Sequence, residues 1–251
     1  VKVASIVPVS YLYLIQSKNY HMCLAHLANS IPRYADFYKE QAQKGKFVIM
    51  DNGAAEGEQQ RVDTLVRLAA SINPTELILP DVLYDSEATL DRSYKAIDVV
   101  KRSGLECRLM AVPQGRTLHE WVGCALEMLQ WPVDTIGISK FLNYVLGPYV
   151  RLLAIAAILP KLKDKDIHLL GCACDAREVG VINDFFGSRV RGVDSSIAYI
   201  YARSGINMHN ALRNNIPRSQ AEIDFMEEST DTSLISDNIT IWEDVCNGRL
   251  L

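Results

Sequence analysis

At 251 residues the chain is long enough for one large α/β barrel or two ordinary domains, with a sizeable core. Hydrophobic residues make up 49% and charged residues 22%, the balance of a soluble globular protein and not of a disordered or fibrous one. A formal charge of −4 excludes an overall basic field for nucleic acid, although local clusters of Lys and Arg can still bind it.

No window approaches roughly 18 uninterrupted apolar residues, and the stretch 150–159 is too short to span a bilayer, so no membrane partner is expected. The chain opens directly on strand-like residues 1–9 without a basic leader. Six cysteines in a chain of this length read as reduced thiols and not as a disulfide framework. The expected setting is cytoplasmic, that of the host if the gene is carried by a phage.

In chain order, residues 2–7 are apolar and β-branched, as in a buried parallel strand, and a short amphipathic helix follows over 10–16. Residues 20–27 fit a strand or a helix. Residues 32–45 read as a helix with Gly45 as its stop. A regular rhythm then sets in. Strand 47–50 ends at Asp51-Asn52-Gly53 and is followed by helix 61–71; strand 76–79 ends at Pro80-Asp81 and is followed by helix 86–103. Strand 108–112 ends at Pro113-Gln114-Gly115, ahead of helix 118–130, and strand 135–138 ends at Ser139-Lys140, ahead of a helix over about 148–162. Strand 167–170 ends at Gly171-Cys172 before helix 176–186. Strand 190–193 delivers Asp194, with Ser195 or Ser196 capping a helix that runs to Arg203 and stops at Gly205.

With 20–27 counted as a strand there are eight strand–helix units, which predicts a (β/α)8 TIM barrel over 1–205. Without it there are seven, and a doubly wound open sheet competes. Residues 206–251 form a C-terminal extension. Its part 222–237 is acidic and rich in Ser and Thr and reads as a surface loop or mobile segment, leading to a short helix near 239–246.

In a barrel the carboxyl ends of all strands converge on one face, so Asp51, Asp81, Gln114, the Gly137-Ile138-Ser139 backbone and Asp194 are expected around one pocket. Two carboxylates across a substrate can perform glycosidic chemistry, one attacking the anomeric carbon and the other moving a proton to and from the leaving group. A third carboxylate and a glutamine amide suit the edge of a nitrogenous base. Taken singly, Asp194 reads equally well as a mere cap of the next helix.

These residues resemble the tRNA-guanine transglycosylases and their DNA-acting relatives in phages and genomic islands. Asp51-Asn52-Gly53 is similar to the family's Asp-Ser-Gly segment, whose aspartate is the general acid/base, and Asp81 falls where the family has a guanine-binding aspartate. Val112-Pro113-Gln114-Gly115 resembles its Val-Gln-Gly segment, Ile136-Gly137 its Ile-Gly-Gly turn, and Leu169-Leu170-Gly171 its Leu-Met-Gly. Asp194, with Arg203 nine residues on, resembles the nucleophile segment. The stretches 6–16 and 21–29 look like the short phage-type members, and the likeness runs from Val1 to about Gly205. The resemblance implies Asp194 as nucleophile and Asp51 as acid/base, with Asp81, Gln114, Gly137, Ile138 and Leu170 around the base.

Three features depart from the family. Its zinc set, Cys-x-Cys-x-x-Cys with a later His, is missing beyond Gly205, where only His209 and Cys246 remain, so no C-terminal zinc subdomain is expected. The stacking aromatic after the first motif is replaced by Ala54-Ala55, and the Thr-Arg pair after the nucleophile by Tyr199-Ile200. These bear on base stacking and tRNA docking more than on the glycosidic step. Cys172-x-Cys174 lacks partners for a four-ligand metal site and reads as loop thiols; neither a metal nor another cofactor is expected. His26 reads as a hydrogen-bonded rim residue, while His119 and His168 receive no role.

Candidates for polynucleotide contact are Arg116, Lys140, Arg151, Arg203 and Arg213, with Arg203 first; Lys161, Lys163 and Lys165 fall on the opposite face. The expected function is base exchange, in which guanine leaves a polynucleotide and a 7-deazaguanine such as preQ0 replaces it. DNA is preferred and tRNA is the alternative, and a homodimer is compatible with either. The rivals are a degenerate binding subunit without catalysis and a barrel hydrolase acting on nucleosides.

Overall fold

All eight strands form and all pair in parallel in the computed structural model, which describes residues 1–55, 57–172, 175–219 and 222–250. They are β1 (Lys2–Ser5), β2 (Tyr20–Leu24), β3 (Phe47–Asp51), β4 (Glu76–Ile78), β5 (Arg108–Ala111), β6 (Thr135–Ser139), β7 (Asp166–Leu170) and β8 (Val190–Ser195). The sheet runs β1-β8-β7-β6-β5-β4-β3-β2. β1 also packs beside β2, which brings the two ends of the sheet together. The result is a nearly closed (β/α)8 TIM barrel, and the open-sheet alternative falls away. Residues 20–27 are ambiguous in sequence because they contain both elements: β2, then helix α1 (Ala25–Ser30).

Alternation along each strand sends every second side chain into the barrel, where they stack in layers. The layer at the amino ends holds Tyr20, Phe47, Glu76, Arg108, Thr135, Asp166 and Arg191. It is ionic. Glu76, fully buried, accepts from both terminal nitrogens of Arg191, Nη1 at 3.0 Å, and from Thr135 Oγ1 at 2.6 Å. Asp166 accepts from Arg108 Nη2 at 2.6 Å and from Arg191 Nη1 at 3.2 Å. Above it come Met22, Ile49, Ile78, Met110, Gly137 and His168. The layer at the carboxyl ends holds Leu24, Asp51, Val112, Ser139, Leu170 and Asp194.

A bulge in β8 makes the lower layers possible. Ile167 pairs with Val190 but His168 pairs with Gly192, so Arg191 is an extra residue in the ladder and its side chain reaches the ionic layer. At Gly192 the Tyr20 ring leaves no room for a side chain: a Cβ there would lie 2.6 Å from Tyr20 Cε1.

The remaining helices are α2 (Pro32–Gln43), α3 (Val62–Ile72), α4 (Ser86–Ser103), α5 (Leu118–Met128), α6 (Phe141–Leu146), α7 (Val150–Ile158), α8 (Arg177–Phe186), α9 (Ile197–Arg203), α10 (Met208–Arg213) and α11 (Thr232–Cys246). Local capping sets several starts: Asp85 accepts from Ala88 N–H at 3.0 Å, Thr117 from Glu120 N–H at 3.1 Å, and Asp231 from Ser233 N–H at 2.9 Å. The helix expected over 148–162 is instead α7 followed by a 3-10 turn at Leu159–Lys161, and the one expected over 10–16 is a 3-10 helix at Val9–Leu14.

The extension departs furthest from expectation. α11 begins inside the acidic segment and buries Ile235, Ile239, Trp242 and Val245 against β1, α8 and α9, so its apolar face belongs to the barrel's own core. Residues 222–231 form a surface loop, as expected, and it is tied down over the first 3-10 turn. Val9 N–H donates to the Phe225 carbonyl at 3.0 Å, Ser10 Oγ to Glu228 at 2.8 Å, and Thr230 N–H to Tyr11 Oη at 2.8 Å. Tyr199, where the family-like motif departs, donates to Glu227 from α9. Burial opposes ionisation of Glu227, but hydrogen bonds from Ser229, Tyr199 and Thr230 prevail and bring its pKa down to about 2. Among the described residues, no helix is long and apolar enough to cross a membrane.

Candidate active site

A cavity opens at the carboxyl ends of the strands, about 740 Å³ including its mouth. Asp51, Asp81 and Asp194 line it together, with Leu170, Ser139 and Lys140. It continues into a wider outer cleft of about 1780 Å³, which shares Ala55, Lys140, Phe141, Ser196, Ile223 and Phe225 with it. The three aspartates thus converge as barrel geometry requires.

Asp194 is buried at the end of β8. Its Oδ1 accepts from His168 Nε2 at 3.0 Å and from Gly171 N–H at 3.4 Å. The helix after it has Ser196 at its N-cap position and no side-chain cap; Ser195 Oγ accepts from Ile197 N–H at 3.1 Å in a local turn, and Asp194 faces the cavity instead of capping the helix. Asp51 is half-buried, with Oδ2 accepting from Gly53 N–H at 2.9 Å, while Asn52 Oδ1 accepts from Ala54 N–H at 2.7 Å. This Asx-type turn is the structural content of the Asp-Asn-Gly sequence.

Asp81 is held from two sides. Its Oδ1 accepts from Asn52 Nδ2 at 2.8 Å and its Oδ2 from Gln114 Nε2 at 2.5 Å. Burial raises its pKa, against the pull of these two donors. Gln114 does not line the cavity; it stands behind Asp81, with its own oxygen accepting from Tyr84 N–H at 3.2 Å. Each carboxylate oxygen keeps a second lone pair for a ligand N–H.

Gly137 and Ile138 also lie beneath the site. A Cβ on Gly137 would come 2.8 Å from Leu170 Cδ1 and 2.9 Å from Met110 Sδ, so the glycine lets the floor residues Leu170 and Val112 close over it. Ile138 points outward into the helix layer. Its carbonyl takes a long contact from Arg151 Nη1 at 3.4 Å.

The basic candidates divide. Lys140 lines both cavities, its ammonium 5.5 Å from the Phe141 ring centre. Arg203 donates to the Glu222 carbonyl at 2.7 Å and so holds the covering segment; it lines neither cavity. Arg116 and Arg213 are exposed away from both. Arg151 is no phosphate ligand: it is fully buried, paired with Glu178 at 2.6 Å, and its Nη1 braces the Gly171 carbonyl at 2.9 Å.

Three residues escaped the sequence reading. His168, assigned no role, touches Asp194. Phe141 and Phe225 line both cavities, as does Ala55. Phe225 comes from the acidic extension, in which no periodicity singled it out. His26 lines the outer cleft edge-on to Phe225, and burial lowers its pKa. Its Nδ1 has no partner among the described residues, contrary to the hydrogen-bonded rim histidine expected.

Cys172 is buried, its thiol pushed up to about 12 by burial, and Cys174 lies outside the described residues. Among the described residues no group of three His, Cys, Asp or Glu side chains is placed to hold a metal ion. Neither a protein-family model nor a curated protein matches this chain.

Proposed function

We propose that this barrel exchanges a base in a polynucleotide, removing guanine and installing a 7-deazaguanine such as preQ0. The observation that carries the reading is the shared cavity of Asp51, Asp81 and Asp194 at the carboxyl end of the barrel. Asp194 attacks C1′, forming a C–O bond as the glycosidic C–N bond breaks, and Asp51 gives its proton to the departing guanine. The incoming base then returns a proton to Asp51 from its ring nitrogen. That nitrogen attacks C1′ and releases Asp194, so the two half-reactions balance. Asp81, oriented by Asn52 and Gln114, accepts from the N–H groups of the base edge.

A stacked base must leave its helix to reach such a cavity, which implies single-stranded or flipped DNA. DNA is preferred over tRNA because the sequence lacks the cysteine set that the resemblance associates with a zinc subdomain. Phe141, Phe225 and Lys140 suit a strand entering through the outer cleft. The five described cysteines, all free thiols, fit a cytoplasmic setting.

The test is incubation with labelled guanine and either DNA or tRNA. Label in DNA supports the full reading, and label only in tRNA keeps the chemistry but changes the polymer. Label in neither refutes base exchange, and guanine released without incorporation identifies a hydrolase.

A further inference from the structure

Behind Asp194, and outside the cavity, a chain of buried polar groups runs down the barrel axis. Arg191 Nε lies 3.0 Å from Tyr20 Oη, Tyr20 Oη 2.9 Å from His168 Nδ1, and His168 Nε2 3.0 Å from Asp194 Oδ1. Tyr20 is 4% exposed and His168 not at all. One assignment leaves none of these buried protons without an acceptor. A guanidinium has donors and no acceptor, so Tyr20 Oη accepts from Arg191 and turns its own proton towards His168. Nδ1 of His168 is then an acceptor, its ring proton sits on Nε2, and Nε2–H donates to Asp194. Arg191 is fixed in turn by Glu76, fully buried, and by Asp166. Burial pushes the Tyr20 phenol well above its ordinary pKa, which keeps the hydroxyl proton in place despite the nearby guanidinium.

We propose that His168 is the positioning residue of Asp194, locked by Tyr20 and Arg191 as the neutral Nε2–H tautomer. The proposal rests on the base-exchange reading for the role of Asp194. His168 does not line the cavity, so it acts through the carboxylate and not on substrate. With Oδ1 held by His168 and Gly171, the carboxylate is fixed in rotation and Oδ2 becomes the attacking oxygen. No proton moves along the chain during the reaction. Its service is orientation: a carboxylate free to rotate spends most of its time misaligned with C1′.

Two measurements test this. In protein labelled with 15N-histidine at pH 7.5, His168 should show a bare Nδ1 and a protonated Nε2, and Tyr20→Phe should disturb that signature while keeping the buried ring. In single-turnover trapping of the covalent adduct, His168→Leu should slow formation by about 10²-fold. His168→Gln, which retains a side-chain N–H donor, should recover much of that rate. KM for the polynucleotide should stay within about twofold throughout, because binding contacts are untouched. Tyr20→Phe should slow the adduct by roughly tenfold, as loss of a group orienting a histidine does elsewhere. An imidazolium or an Nδ1–H tautomer in the wild type overturns the proposal, as does equal slowing by Leu and Gln at position 168 with a normal Tyr20→Phe rate. The NMR signature does not depend on exchange. A protein that shows it but labels no polymer refutes base exchange and retains the locked histidine.

Discussion

Glu76→Gln removes one charge from the ionic layer while keeping the shape of a fully buried side chain. The carboxylate meets Arg191 through two nitrogens, Thr135 at 2.6 Å and Arg108 at 3.4 Å. Removing one partner of a buried ion pair costs about 3–5 kcal/mol. Here Asp166 remains 3.2 Å from Arg191 and 2.6 Å from Arg108, and the glutamine retains one acceptor oxygen. The expected loss therefore sits at the low end, about 3 kcal/mol, or roughly 6–12 °C in Tm for a chain of this size. The sign of the pH dependence follows from Glu76 itself. Burial opposes its ionisation, but the hydrogen bonds and charge of Arg191 prevail and hold its pKa below the ordinary 4.5. A depressed carboxylate contributes stability that is complete above 4.5 and lost as pH falls through the folded value. The gap between wild type and variant should thus be widest near neutrality and shrink below that point. Urea unfolding followed by tryptophan fluorescence, from pH 7.5 downward, measures it. A loss under about 0.5 kcal/mol at neutral pH, the scatter of ordinary surface changes, would refute the reasoning, as would a gap that widens in acid.

Asp194→Ala should abolish both exchange and the covalent adduct on a denaturing gel. Asp51→Asn should slow exchange by about 10²–10⁴-fold with polynucleotide affinity unchanged, and full exchange by Asp194→Ala would remove the nucleophile assignment. Asp81→Ala leaves the buried amides of Asn52 and Gln114 without their acceptor, so it should lower stability by about 1–3 kcal/mol as well as blur discrimination between purines. Denaturation and competition with adenine read the two effects separately. Gly137→Ala drives a methyl group into Leu170 and Met110, and overpacking of this kind costs about 1–3 kcal/mol. Because Leu170 floors the cavity, KM for the free base should rise together with that loss.

The barrel was legible because parallel strands buried on both faces are written as short apolar runs, and each ends in a polar residue where the chain turns over the rim. Asp51, Asp81 and Asp194 could be placed on one face by that rule alone. Gln114 shares the register but lies behind Asp81. The identity of a strand-end residue does not reveal whether it meets the cavity or a neighbour. His168 was illegible for a related reason. It sits two residues before the strand end, among Ile167, Leu169 and Leu170, where a histidine reads as a buried accident; only closure of β7 against β8, through the bulge at Arg191, brings it to Asp194. The covering segment was missed because its ties to Val9, Ser10, Tyr11 and Tyr199 run between regions that share no local pattern.

Those ties also order events in time. Ser10 meets Glu228 across 218 residues of chain, and Lys18 meets Glu243 across 225. Contacts of such separation form late, since loop closure must be met before they contribute. During synthesis every barrel strand is complete while the stretch that supplies Ile223 and Phe225 to the cavity wall is still being made. The molecule therefore passes through a stage with a finished strand-end rim, a mouth still without Ile223 and Phe225, and an uncovered apolar strip along β1, α8 and α9 where α11 will settle. Asp194, held by His168 and Gly171 of the barrel itself, is then in place before Ile223 and Phe225 complete the cavity wall.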